Sequence, residues 1–219
     1  YREEWEARRT QGLPPPCLGA GSRGPATIMT SVLRPETVFF WCYDHPGLMG
    51  RFAGILAAKM VELNRVLREF SGNTQPGWWI TDDNCALFNR ALYREYCYPV
   101  LETVLAAMAP RDARRYQHSD SAMGHLLEYQ RDLGIRSVNY GPEVDVARIR
   151  EILPEAVING HTPPFLLRDG SPEEIRGRVL SVRPRRMRRP HSPGGSTTMY
   201  SSSRTTNCPA LVQLMRTSS

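Results

Sequence analysis

Residues 114–120 read RRYQHSD, residues 137–167 read SVNYGPEVDVARIREILPEAVINGHTPPFLL, and residues 170–179 read GSPEEIRGRV. Three short β-type runs, Arg115–Gln117, Ser137–Tyr140 and Ala156–Asn159, alternate here with helix-type segments. Each run stops at polar or glycine-bearing residues: His118-Ser119-Asp120, then Tyr140-Gly141-Pro142-Glu143, then Gly160-His161-Thr162-Pro163. Strands and helices at this spacing predict right-handed βαβ units around a parallel sheet, an α/β fold. In such sheets function gathers at the carboxyl ends of the strands, where these polar clusters fall.

Working outward, Gly77–Thr81 (GWWIT) reads as a further strand that ends in Asp82-Asp83-Asn84. Two acids there suit a substrate or a cation, or else a cap for the following helix. Asn89–Met108 predicts an amphipathic helix with Leu92, Tyr96, Val100, Leu101, Val104 and Leu105 inward and a kink at Pro99. Gly47–Phe70 predicts another, with Asp44 as N-cap, Pro46 in the first turn and His45 on the surface. Residues 1–12 form a short charged helix cut by Leu13-Pro14-Pro15-Pro16. Gly19, Gly21 and Gly24 suit a tight turn at a strand end and do not match a phosphate-loop spacing.

His118 and Asp120 set an imidazole and a carboxylate two residues apart, able to ligate a metal, hold a substrate or exchange a proton. The plainer alternative makes Asp120 or Ser121 the cap of a helix over His125–Gln130, with His118 a buried donor. Gly160 allows close backbone approach to a ligand beside His161. Asp145 reads as N-cap of Val146–Leu153, and Ser171-Pro172-Glu173-Glu174 as a capped helix start.

With 219 residues, 41% of them hydrophobic, the chain can bury one sizeable core. No apolar run is long enough for a membrane span, and YREEWEARRTQG has no secretory h-region. The opening on Tyr1 points to a fragment or internal start. The five cysteines, at 17, 42, 85, 97 and 208, form no CxxC pair and read as core thiols of a cytoplasmic protein. The net charge of +6 comes from the tail: residues 183–219 hold seven arginines and no acid, leaving residues 1–182 at −1. The charge therefore describes a basic, low-complexity tail, with a returning helix at 209–216, rather than a nucleic-acid-binding domain. Residues 1–182 form the expected folded domain.

GSRGPATIMTSVL (21–33), DDNCALFNRALYREYCYPVL (82–101), HSDSAMGHLLEYQRDLGIRSVNY (118–140) and INGHTPPFLLRDGSPEEIRGRV (158–179) together resemble the uroporphyrinogen decarboxylase superfamily. The resemblance implies a (β/α)8 TIM barrel, incomplete at its N-terminus because the family's first third has no counterpart here. That third carries an arginine-bearing loop and a pyrrole-binding aspartate. The resemblance implies cofactor-free decarboxylation of acetate side chains on a tetrapyrrole. On this resemblance Asp83 and His118 are expected to take the catalytic roles, and Asp82, Asp120, Gly160, His161 and Ser31 to line the substrate. Ser31 falls where the family has a tyrosine after a T-x-M-T strand, and a family histidine falls near Ser201 or Ser202.

The superfamily's corrinoid-dependent methyltransferases bind zinc through H-x-C and a later cysteine. In that alternative His118 and Asp120 would hold the metal, with Asp120 in the place of the first cysteine and the later one again near Ser201–Ser202. A non-catalytic fragment is the third reading. The expected partner is a small molecule, a tetrapyrrole or a methyl carrier, with no membrane or nucleic acid and with a homodimer left open.

Overall fold

The computed structural model describes residues 2–13 and 18–182. In chain order these form α1 (Arg2–Thr10), β1 (Gly21–Arg23), α2 (Pro25–Leu33), α3 (Pro35–Asp44), α4 (Pro46–Ser71) and β2 (Trp78–Thr81). A 3-10 turn (Asp83–Leu87), α5 (Arg90–Leu92), a π turn (Tyr93–Cys97), α6 (Tyr98–Met108) and β3 (Arg115–Ser119) follow. The described chain ends with α7 (Leu127–Asp132), β4 (Ser137–Tyr140), α8 (Val146–Ile152), β5 (Val157–Ile158), α9 (Pro164–Asp169) and α10 (Pro172–Val182). The five strands pair in sequence order, every pair parallel, giving an α/β fold consistent with a TIM barrel of the expected type.

The strand pleat divides the sheet into two faces. Trp78, Ile80, Gln117, Ser119, Val138 and Tyr140 are buried on the face covered by helices. There they meet Leu56, Ala57 and Met60 of α4 and Val100, Leu101, Val104 and Leu105 of α6 in one core. On the opposite face register pairs Arg23 with Thr81, Thr81 with His118, and His118 with Asn139. Trp79 and Val157, on that same face, remain 44% and 59% exposed.

Two arginines tie the helix layer to the sheet. Arg68 of α4 donates from Nε to the Gly19 carbonyl (2.7 Å), from Nη1 to Met108 (3.1 Å) and from Nη2 to Gly77 (2.8 Å). One guanidinium thus satisfies carbonyls just ahead of β1, just ahead of β2 and at the end of α6. Arg115, 5% exposed, donates twice to Ala109 and once to Leu133.

Several expectations are corrected. PATIMTSVL is helix α2, because Pro25 opens it and its N–H groups find a distant acceptor; the T-x-M-T run is not a strand. Asp44 ends α3 rather than capping α4, which starts at Pro46 after His45. The segment after Asn89 is not one kinked helix. Pro99 has no N–H to offer the helical ladder, and the break is taken up as a π turn in which the Tyr98 N–H reaches the Tyr93 carbonyl. β3 continues through His118 and Ser119. The predicted helix at His125–Gln130 is a 3-10 turn, Met123–Leu126, leading into α7, capped by neither Asp120 nor Ser121. Cys42, Cys85 and Cys97 are buried free thiols, while Cys17, Cys208, Ser201, Ser202 and the helix at 209–216 lie outside the described residues.

Arg68→Met leaves three carbonyls without their charged donor and is expected to lower unfolding free energy by about 2–4 kcal/mol in urea melts. Arg65→Met, on the exposed side of the same helix, should change it by less than about 0.5 kcal/mol. Equal effects would contradict this account of Arg68.

Candidate functional site at the strand ends

Because β3 runs through His118, the pleat fixes the ring on the open face, level with Thr81 and Asn139. Asn139 Oδ1 lies 3.2 Å from His118 Nδ1, and an amide oxygen only accepts, so Nδ1 carries a proton. Nε2 then points to two carboxylates, 3.5 Å from Asp120 Oδ2 and 3.8 Å from Asp83 Oδ1. Asp83 Oδ1 also accepts the Asp120 N–H at 2.9 Å, which ties the end of β2 to the end of β3. Nε2 thus faces two carboxylates at the strand ends, where negative potential is concentrated. The three ligand atoms of Asp83, His118 and Asp120 lie within 4.8 Å of one another.

Asp82, one residue from Asp83, is turned the other way. It is fully buried, its Oδ1 accepts the Thr27 N–H at 2.8 Å, and its Oδ2 has no partner. Gly24, the N-cap of α2, supplies no side chain, and the Asp82 carboxylate reaches across from β2 to cap the helix instead. A Cβ at Gly24 would collide with the Asp82 carboxylate, so only glycine lets the two approach. Asn84 completes the clamp: its N–H bonds Thr27 Oγ1 at 3.2 Å and its Nδ2 bonds Thr30 Oγ1 at 2.8 Å. Burial is the main cause that pushes the Asp82 carboxyl up to about 6.

Gly160 and His161 sit at the end of β5, both with left-handed backbone (φ 69° and 74°). His161 is buried; its Nδ1 donates to the Tyr140 carbonyl (3.0 Å), its carbonyl accepts from Arg178, and its Nε2 has no partner. A side chain on Gly160 would press on Asn139 Nδ2 at 2.9 Å, and Asn139 is the group that orients His118. Ser31 stands apart, exposed in the second turn of α2 with its hydroxyl donating to the Thr27 carbonyl.

Of the residues singled out in the sequence, the structure thus gathers Asp83, His118 and Asp120, and sets Asp82 behind them as a clamp. It adds Asn139 and Arg23, which sequence reading passed over. Counting strand parity back from His118 would have found both, since Arg23, Thr81, His118 and Asn139 form one registered row.

A soft, thiolate-rich zinc set is not assembled among the described residues. The nearby Cys85 is buried behind the sheet with its sulfur 3.7 Å from Ser119 Oγ, and burial pushes its thiol up to about 12. The oxygen and nitrogen donors that do converge suit a harder cation.

The pH dependence of Asp82 gives a direct check. Its folded pKa of about 6 lies above the ordinary 3.8, so its favourable contribution is full below about pH 4 and is lost as pH rises through 6. The stability of the parent chain minus that of Asp82→Asn should therefore fall by about 3 kcal/mol between pH 4 and pH 7, measured by urea unfolding. A difference that rose with pH would contradict the burial of an unpaired carboxyl.

Among the described residues no helix is long and apolar enough to cross a membrane. No curated protein matches the chain. The family model described as Uroporphyrinogen decarboxylase (URO-D) matches residues 14–216, most of the sequence. The chain belongs to the uroporphyrinogen decarboxylase family.

Proposed function

We propose that the chain is a uroporphyrinogen decarboxylase-like enzyme that removes acetate carboxyls from a tetrapyrrole without a cofactor. The convergence of His118 Nε2 on Asp83 and Asp120 carries this reading. Two carboxylates beside the imidazole offer negative potential to positive charge developing on a pyrrole ring. A proton added to a ring carbon creates that charge; the bond between the side-chain methylene and its carboxylate then breaks, its electron pair forms a double bond to the ring that neutralises the charge, and carbon dioxide leaves. A proton delivered to the methylene carbon from the His118 side gives the methyl group, and the ring carbon returns its proton to solvent to restore the pyrrole. Asn139 keeps the imidazole aimed, and Asp120, Gly160 and His161 border the substrate. Asp82 and Ser31 act at one remove, through α2.

This reading includes a closed (β/α)8 barrel. Family membership and the sequential, all-parallel strand order support it, as does the open face bearing Trp79 and Val157, since parallel sheets are normally covered on both faces. Residues 1–182 would form the barrel part and residues 183–219 a basic tail. The buried thiols of Cys42, Cys85 and Cys97 suit a reducing cytoplasm.

A second reading is favoured by the same three ligand atoms: a divalent cation held by Asp83, His118 and Asp120. Bound there, it would act as a Lewis acid toward a substrate oxygen or thiol, as a corrinoid-linked methyltransferase of this superfamily would require.

Anaerobic incubation with uroporphyrinogen, followed by chromatography for products with fewer carboxyls, tests the first reading. His118→Ala and Asp83→Asn should each lower kcat/KM by about 100-fold or more, while a chelator leaves it unchanged. Activity lost to chelator and restored by Mn2+ or Zn2+ would favour the cation reading, as would calorimetric binding of either ion that His118→Ala abolishes. A folded chain with no turnover and no metal uptake would leave a non-catalytic role.

A further inference from the structure

The registered row on the open face begins with an arginine. Arg23 pairs with Thr81 and Thr81 with His118, so Arg23 and His118 share one face and one level, two strands apart. At the usual strand spacing their Cα atoms are about 10 Å apart. Arg68 and Arg115 are committed to backbone carbonyls, and Arg90 and Arg148 to Glu128. Arg23 is exposed and, among the described residues, its guanidinium has neither a hydrogen-bond acceptor nor a carboxylate partner.

The acids closest in the fold are engaged elsewhere. Asp82 faces the helix side and accepts from Thr27, while Asp83 accepts the Asp120 N–H and both Asp83 and Asp120 face His118. The backbone at Arg23 is nonetheless held firmly. Gly24 donates to the Thr81 carbonyl at 2.8 Å and packs so closely against Asp82 that a Cβ there would collide with the carboxylate. The register therefore puts an exposed guanidinium in the same row and on the same face of the sheet as His118. A planar fork of donors there matches a carboxylate in two-point contact.

We infer that Arg23 anchors a substrate carboxylate other than the one that reacts at His118. The substrate class is a small molecule with at least two carboxylate arms, one held at β1 while the other is presented at β3. This rests on the decarboxylase reading above and adds to it the residue that selects and orients a polycarboxylate. Arg23 is a positioning residue here, without a part in bond breaking.

The test is fluorescence titration of the whole chain with uroporphyrin, an octacarboxylate, and with a tetracationic porphyrin of the same ring size. Arg23→Leu should weaken uroporphyrin binding about tenfold or more, leave the cationic porphyrin unaffected and leave the melting temperature unchanged. Arg23→Lys should recover part of the loss. Uroporphyrin binding equal in parent and Arg23→Leu would overturn the anchor and leave the decarboxylase reading standing. A large fall in melting temperature with equal loss of both porphyrins would also overturn it, as a structural role. If the folded parent ignores uroporphyrin but binds 1,2,4,5-benzenetetracarboxylate in an Arg23-dependent way, the anchor stands and the tetrapyrrole reading falls. If it binds neither, both fall.

Discussion

The rim of this protein depends on a single buried carboxylate. Asp82 ends β2, turns away from the open face and caps α2 through the Thr27 N–H, 55 residues away in sequence. That bond locks the first strand-helix unit to the second at the level where the functional row begins. It also determines what its neighbours can do: Gly24 must be glycine, Arg23 emerges from a backbone paired with β2, and Asp83 is delivered to the other side of the strand. A carboxyl so buried is held against its desolvation cost only by the helix N–H groups it satisfies. Its neutral form is correspondingly favoured.

At the opposite end of the strands the connection is cationic. Arg68 gathers the carbonyls of Gly19, Gly77 and Met108, so β1, β2 and α6 are fastened below by one guanidinium, and β2 is fastened to α2 above by one carboxylate. Between these two fastenings the strands are short, and short strands suffice because register places their ends in one row. The row then assembles opposite tendencies: acids at the ends of β2 and β3, an imidazole between them, an amide that orients the imidazole and an arginine that none of them neutralises. Such an arrangement concentrates negative potential at its centre and leaves a positive charge at its edge.

Much of this was legible in the sequence. Ser137–Tyr140 was read to the residue, because its ends are marked by glycine and proline chemistry that acts locally. The Asp145 cap and the Ser171–Glu174 capping box were equally local, and both form. The family resemblance ran through motifs that the match over residues 14–216 bears out. Misreadings came where a polar or β-branched run took its structure from a distant partner. His118 and Ser119 looked like loop but are strand, since Thr81, Asn139 and Tyr140 supply their ladder. Thr27–Thr30 looked like strand but is helix, since Asp82 supplies its cap.

The sequence by itself determined the alternation of elements, the polar character of the strand ends and the family. Only the tertiary structure decided which polar residue faces which. Asp82 and Asp83 are adjacent and chemically identical, yet one is a buried clamp and the other a partner of His118. Arg23 and Asn139 carry no motif, yet they stand in the same row as His118. The reason is physical: a strand sends successive side chains to opposite faces, and which strands lie side by side, at what register, is settled by contacts between residues tens of positions apart.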